Sequence, residues 1–263
     1  METKIFAHRG ARWCRPENTL ASFQQALREK ADGIELDVHL SKDNELIVIH
    51  DETVNRTTNA KGFVHDLTLS QLKTLDAGCN FKLQASSPLL TFIQRFRSLL
   101  IKKVYTHEKI PTLGEVLDFL EANNFTGCLN IEVKTDHIHY PDIETILSEE
   151  MVQRELSFTY LYSSFNFRSL ELLHELEPTV DLAYLTYNNQ NEIERGLEAD
   201  FITALHPKKS YALSKHFEPS RKPLRVWTVN AERDIKKLLT KNVAAIITDY
   251  PEKARRIRKQ CQK

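Results

Sequence analysis

Gly33-Ile34-Glu35-Leu36-Asp37-Val38-His39, followed after Ser41-Lys42-Asp43-Asn44-Glu45 by Leu46-Ile47-Val48-Ile49-His50-Asp51, is the stretch on which the fold turns. Its first half alternates aliphatic residues with carboxylates, the pattern of a strand with two unlike faces. Successive side chains leave a strand on opposite sides, so Glu35 and Asp37 share one face and Ile34, Leu36 and Val38 the other. Carboxylates two residues apart stand about 7 Å from each other along that face. Two readings are open at this point: a solvated strand edge that tolerates the repulsion, or a divalent cation between the oxygens.

The turn before Leu46 is far shorter than the dozen or so residues a parallel crossover requires. Leu46 to His50 is therefore expected to return antiparallel along the distal end of the preceding strand, as a hairpin arm folded over it. Outward from this hairpin, strand patterns recur at Lys4–Ala7, Cys128–Lys134, Phe158–Ser163, Val180–Leu185, Phe201–Leu205, Leu224–Val229 and Ala244–Thr248. Between them lie helical patterns at Leu20–Leu27, from Pro111, at Ile143–Val152, Phe167–Leu176 and Gln190–Leu197, over 210–217, at Ala231–Leu239 and from Pro251. Such alternation implies crossover units and a parallel sheet. With the hairpin arm set aside, eight strands remain, the number that closes a TIM (β/α)8 barrel with its active site at the carboxyl ends of the strands. No composition shift or Pro/Gly-rich linker divides the chain. Residues 1–263 are expected to form a single TIM-barrel domain, with the hairpin and an inserted helical segment at about 77–110 over the C-terminal mouth.

Bulk properties exclude some partners. Lysine plus arginine balance aspartate plus glutamate at 36 each, so no overall field favours nucleic acid. The basic tail Lys253–Lys259 reads as the solvated face of the last helix. The four cysteines have neither metal-ligand spacing nor the density of a disulfide framework, which suits a reducing compartment. The N-terminus shows no basic region followed by an apolar run, and no apolar stretch reaches the length of a membrane span. These features together predict a cytoplasmic, soluble protein.

The strand ends hold the chemistry. His8 and Arg9 close the first strand, Glu35 and Asp37 lie in the second, and His50 ends the hairpin arm. Glu132 and Lys134 follow on the strand from Cys128, and Ser163, His206, Trp227 and Asp249 stand at later strand ends. Glu35, Asp37 and Glu132 offer only hard oxygen ligands, which suit Mg²⁺ or Ca²⁺ better than zinc. A cation, a lysine and an arginine make a site for an anionic group such as phosphate. Two histidines beside that anion can serve as acid and base. The set points to phosphodiester hydrolysis.

The chain also resembles a known family. His8-Arg9-Gly10, Pro16-Glu17-Asn18-Thr19, Glu35-Leu36-Asp37-Val38, His50-Asp51, Arg56-Thr57-Thr58, Leu75-Asp76-Ala77-Gly78, Ile110-Pro111-Thr112-Leu113, Asn130-Ile131-Glu132-Val133-Lys134, Trp227-Thr228-Val229-Asn230 and Ile247-Thr248-Asp249-Tyr250-Pro251 occur in the order found in glycerophosphodiester phosphodiesterases. The resemblance implies hydrolysis of a small-molecule glycerophosphodiester, such as glycerophosphocholine or glycerophosphoethanolamine, to sn-glycerol 3-phosphate and an alcohol. Carried over by position, it gives Glu35, Asp37 and Glu132 to the cation (Mg²⁺ or Ca²⁺) and His8 and His50 to acid/base catalysis. It also gives Arg9 and Lys134 to the phosphate, Glu17 to the orientation of Arg9, and Trp227 to packing on the glycerol. In such enzymes the neighbouring glycerol hydroxyl is an internal nucleophile candidate, through a cyclic phosphate that water opens.

One segment departs from the family pattern. Between Gly78 and Ile110 stands an insert whose Leu89, Leu90, Phe92, Ile93, Phe96, Leu99, Leu100 and Ile101 cover one broad helical face beside Arg95, Arg97, Lys102 and Lys103. It reads as a lid helix packed on the barrel. A basic amphipathic helix making peripheral membrane contact through residues 88–104 is the alternative. An apolar lid would also favour a lysophospholipase D-like reaction, because it could admit an acyl chain. A non-catalytic binding barrel is the remaining reading, and the presence of both histidines and all three carboxylates speaks against it.

Overall fold

In the computed structural model the residues described are 2–82, 107–214 and 221–261. Strand β1 (Lys4–His8) leads through a loop to helix α1 (Leu20–Arg28), which starts where Thr19 and Ser22 form a capping box. Strand β2 (Gly33–Leu40) then turns through Ser41, whose N–H donates to the Glu45 carbonyl at 3.0 Å, with Asn44 in the left-handed region at φ 62°. Strand β3 (Leu46–Val48) returns antiparallel, with Val48 opposite Val38 and Leu46 opposite Leu40. The expected hairpin is present.

A 3-10 turn (Val64–Asp66) and helix α2 (Leu69–Leu72) follow. The chain then alternates: α3 (Leu113–Ala122), β4 (Cys128–Val133), α4 (Ile143–Val152), β5 (Thr159–Ser164), α5 (Phe167–Leu176), β6 (Asp181–Thr186), α6 (Gln190–Glu198), β7 (Ala204–Pro207), α7 (Lys209–Ala212), β8 (Arg225–Val226), α8 (Glu232–Thr240), β9 (Ala245–Thr248) and α9 (Pro251–Cys261). Apart from β3, the strands run parallel in the order β7-β6-β5-β4-β2-β1-β9-β8. Bridges between Leu205 and Leu224 and between Lys208 and Trp227 join β7 to the β8 segment. Eight parallel strands thus form a nearly closed TIM barrel.

Three expectations shift. The strand read at Phe201–Leu205 begins only at Ala204, because Ile202 is still in a turn (its N–H donates to the Ala199 carbonyl at 3.1 Å) and Phe201 meets Phe167 edge-on and stacks on His174 outside the barrel. The strand read at Leu224–Val229 contracts to Arg225–Val226, since the closing seam consists of isolated bridges. The helix read over 210–217 is a single turn, Lys209–Ala212, and residues 215–217 lie outside the described residues. Both readings of residues 88–104 also fall outside them. The two ends of the insertion meet, the Ala77 N–H donating to the Glu108 carbonyl at 2.8 Å.

Burial follows the strand period. Ile5, Ala7, Ile34, Leu36, Val38, Leu129, Ile131 and Val133 point outward into the large core shared with the helices. Phe6, Cys128, Leu161, Ala183, Ala204, Ala245 and Ile247 point inward and plug the barrel below the mouth. A third cluster, including Ile47, Ile49, Val54, Val64 and Leu72, anchors the hairpin arm and the loop after it.

Gly33 is fixed by this plug. A Cβ there would come within 2.7 Å of the Phe6 ring and 2.8 Å of the Cys128 carbonyl oxygen, closer than real contacts allow. Gly33→Ala should therefore destabilise the protein by about 1–3 kcal/mol through overpacking, read as a lower urea midpoint. An unchanged midpoint would show that the plug yields.

Candidate active site

Register brings the three carboxylates together. Glu35 pairs with Asn130 and Asp37 with Glu132 across β2 and β4, so the inward faces of two adjacent parallel strands present Glu35, Asp37 and Glu132 to one point. Their oxygens lie within 4.8 Å of one another and all three residues are buried. Glu35 Oε2 accepts from the Arg9 backbone N–H at 2.7 Å. Asp37 Oδ2 accepts from Asn18 Nδ2 at 2.8 Å, and Glu132 Oε1 from Lys134 Nζ at 2.9 Å. Asp37 Oδ1 is buried without a hydrogen-bond partner.

The electrostatics match a site built for cations. Burial, reinforced by the charges of Asp37 and Glu132, pushes the Glu35 carboxyl well above its ordinary range. Glu132 is also raised, again chiefly by burial. Burial acts the same way on Asp37, but His50, Arg9, Lys134 and the Asn18 hydrogen bond outweigh it and hold that carboxyl at about 2. Burial opposes the charge on Lys134, yet Glu132 and Asp37 keep its ammonium above the usual lysine range. Three hard oxygen donors with one orphaned lone-pair site fit a divalent cation.

Both histidines are held by aspartates. His8 Nδ1 lies 2.7 Å from Asp249 Oδ1, and Asp249 Oδ2 accepts in turn from Asn230 Nδ2 at 2.7 Å. His50 Nδ1 lies 2.7 Å from Asp51 Oδ1. An ionised carboxylate at Nδ1 selects the tautomer that carries its proton there, leaving Nε2 for proton exchange. Burial and the Arg9 charge lower His8 below its ordinary value, and Asp249 offsets this only in part, so the ring is neutral near pH 7. The His50 carbonyl is fixed as well, accepting from His39 Nε2 at 3.0 Å while the His39 Nδ1 lies 2.7 Å from the Tyr140 hydroxyl.

Arg9 and Gly10 have φ of 55° and 75°, so the chain turns sharply at the end of β1. A Cβ on Gly10 would come within 2.4 Å of Ser22 Oγ, which leaves glycine as the residue that fits this turn. Arg9 Nη1 donates to Glu17 Oε1 at 2.8 Å, and Arg9 Nε lies 3.4 Å from Asp37 Oδ2.

His8, Arg9, Glu35, His50, Glu132, Lys134 and Trp227 line one cavity of about 260 Å³. Glu17 does not line it, and belongs instead to the arginine cluster behind Arg9. The indole Nε1 of Trp227 donates to the His206 carbonyl at 2.6 Å, which sets the plane of the ring. Phe165 and Tyr187 complete an aromatic wall: their rings stack at 4.9 Å, and Trp227 meets them edge-on at 5.6 and 5.8 Å. His206, read at a strand end, is fully buried beside Arg225 and takes no part in the cavity lining.

A family model described as the glycerophosphoryl diester phosphodiesterase family matches residues 8–253. The chain belongs to this family. A glycerophosphodiester phosphodiesterase of Bacillus altitudinis is 37% identical over 98% of this chain and 99% of its own. One from Caldanaerobacter subterraneus is 36% identical over 96% of each chain. The structure of an Oleispira antarctica phosphodiesterase with the product sn-glycerol-3-phosphate superimposes with a TM-score of 0.77 at 26% identity, covering 97% of this chain and 96% of that one.

In this member of the glycerophosphoryl diester phosphodiesterase family, sequence reasoning misses the partners more than the principals. The sequence presents Asp249 and Asp51 as strand-end carboxylates, not as holders of His8 and His50. Asn18, His39 and Asn230 have a polar residue's ordinary pattern, and only the tertiary register shows what each one holds. For Asn18 and Asn230 the motifs that contain them (Pro16–Thr19, Trp227–Asn230) are the available signal, and His39 has none.

His206 carries a separate consequence. Burial, with the Arg225 charge, places its imidazole well below the ordinary 6.5. Below pH 6.5 the unfolded chain takes up a proton that the folded chain excludes, so this residue's contribution to stability is complete above that pH and declines on acidification. His206→Gln should make the fall in unfolding free energy between about pH 7 and pH 5 shallower than in the wild type. Equal slopes in pH-stepped urea titrations would refute this.

Proposed function

We propose that this enzyme hydrolyses glycerophosphodiesters to sn-glycerol 3-phosphate and an alcohol, with Glu35, Asp37 and Glu132 holding Mg²⁺ or Ca²⁺. The observation that carries the reading is the sharing of one cavity by two aspartate-held histidines, Arg9, Lys134 and two of the clustered carboxylates, Glu35 and Glu132. A divalent cation there would neutralise charge on the phosphate oxygens and on an attacking alkoxide. Arg9 and Lys134 bind the remaining anionic oxygens by charge-assisted hydrogen bonds. His8 and His50 move the protons through Nε2, one removing it from the nucleophile and the other delivering it to the leaving alcohol. The glycerol hydroxyl next to the ester is the first nucleophile in this scheme, and water opens the cyclic phosphate. Trp227 offers the glycerol carbons an apolar face, and Glu17 orients Arg9 from behind.

The presence of Phe165 and Tyr187 on the cavity wall favours one further reading, lysophospholipase D-like hydrolysis, since their rings extend the apolar surface beyond what glycerol needs. Tyr187 is 49% exposed at the rim. Among the described residues no helix is long and apolar enough to cross a membrane. The cysteine pattern suits a reducing compartment and supports placing the enzyme in the cytoplasm.

Release of glycerol 3-phosphate from a panel of glycerophosphodiesters tests the first reading, and release of choline from lysophosphatidylcholine, with lysophosphatidic acid as the other product, tests the second. Turnover should vanish in EDTA and return with Mg²⁺ or Ca²⁺. His8→Ala and His50→Ala should each lower kcat by about 10²–10⁴-fold. Undiminished turnover in both variants would remove the histidines from the mechanism, and turnover unaffected by EDTA would remove the cation.

A further inference from the structure

Arg56 lies outside the cavity, in the loop after the hairpin, with its side chain 45% exposed. Its guanidinium nevertheless forms two complete forks. Nε and Nη2 donate to the two oxygens of Asp51 at 2.7 and 2.9 Å. Nη1 and Nη2 donate to the two oxygens of Glu17 at 3.0 and 2.8 Å. Both carboxylates also hold a residue of the cavity. Asp51 accepts from His50 Nδ1 at 2.7 Å, and Glu17 from Arg9 Nη1 at 2.8 Å.

A chain of charged hydrogen bonds therefore runs from His50 through Asp51, Arg56 and Glu17 to Arg9. Its ends stand on different parts of the fold, since Arg9 follows β1 and His50 follows the hairpin arm. Glu17 is only 10% exposed, but Arg56 is half-exposed and Glu17 keeps Arg9 and Arg12 as partners without it, so these pairs should contribute little to stability, about 1 kcal/mol. The loop that carries Arg56 is secured independently: Val54 is packed in the cluster beneath the hairpin, and the Thr58 N–H donates to the Val54 carbonyl at 3.1 Å. Folding thus does not call for this arrangement. A planar guanidinium fixes the angle between two carboxylates as well as their separation, which a lysine ammonium cannot do.

We propose that Arg56 is a positioning residue that locks the proton-carrying ring of His50 and the phosphate-contacting guanidinium of Arg9 into one frame. The assignment rests on the reading of His50 and Arg9 given under the proposed function. Misplacement of a reacting group by about an ångström can cost about a hundredfold in rate, and that is the loss the two forks prevent.

Wild-type enzyme, Arg56→Ala and Arg56→Lys are to be compared for kcat, KM and melting temperature on glycerophosphocholine and glycerophosphoethanolamine with added Mg²⁺ or Ca²⁺. Arg56→Ala should lower kcat about ten- to a hundredfold while its melting temperature stays within about 3 °C of the wild type. Arg56→Lys should recover little of the loss, because an ammonium cannot form both forks. Low-millimolar guanidinium, well below denaturing levels, should raise kcat of Arg56→Ala several-fold and leave the wild type unaffected. A kcat of Arg56→Ala within about twofold of wild type overturns the assignment, as does a loss that guanidinium fails to relieve. Absence of wild-type turnover on these two substrates and on the rest of the glycerophosphodiester panel overturns the proposed function and this assignment with it, whereas full turnover by Arg56→Ala overturns this assignment alone.

Discussion

Three carboxylates whose oxygens lie within 4.8 Å of one another inside a barrel repel strongly, and the surrounding structure is arranged around that repulsion. Burial makes it worse by removing the water that would screen the charges. Arg9 and Lys134 supply two positive charges against three negative ones, and Asn18 and the Arg9 backbone N–H add neutral donors. One oxygen, Asp37 Oδ1, still has no partner. The shortfall in charge and the unpartnered lone pair have the same remedy, a cation of charge two. The plug of Phe6, Leu161 and Ile247 below it keeps the carboxylates at the mouth, where a cation can reach them.

The two histidines of the cavity are mounted by a common device on unrelated pieces of chain. His8 ends the first barrel strand, and its aspartate follows the last, 241 residues away. That contact forms only when the barrel closes between β1 and β9. His50 instead meets an aspartate next to it in sequence. The hairpin, not the barrel, brings this pair over the carboxylates, with the His39 ring holding the His50 carbonyl. One dyad is therefore rigid with the barrel wall and the other with its cover. A connection between wall and cover is needed to keep them in register, and the cluster of Arg9, Glu17, Arg56 and Asp51 lies at that junction.

How much of this is legible in the sequence follows from the range of each interaction. The face shared by Glu35 and Asp37 is a matter of strand period, and the antiparallel return of Leu46–Val48 follows from a short turn, so local sequence determines both. The meeting of Asp37 with Glu132 depends on the register of β2 against β4, which no local pattern records; the barrel reading brings both to one mouth, and the likeness of several separated motifs to a family agrees with it. Glu17 is indeed a neighbour of Arg9, as the motifs imply, yet its further contacts with Arg12 and Arg56 depend on how three loops stack. The strand displaced from Phe201 to Ala204 shows the opposite failure. An aromatic residue of high strand propensity is claimed by a helix surface, where Phe167 and His174 offer it a better contact.

The two sides of the cavity differ in a way that constrains how a diester can sit. Its floor carries the charges, while Phe165, Tyr187 and Trp227 form one wall. Those rings are not an open seat for a cation. Phe165 and Tyr187 cover one face of each other, Lys134 Nζ stands 5.9 Å from the Phe165 centroid, and Lys208 Nζ stands 5.6 Å from that of Tyr187. A quaternary ammonium approaching that wall would meet lysines already using the ring quadrupoles. What remains is apolar edge and the Trp227 surface, suited to carbon rather than charge. In the proposed reaction the glycerol backbone belongs on this side. Glu52 and Asp136 also line the cavity, and these carboxylates, not the rings, are the groups that would attract a cationic alcohol.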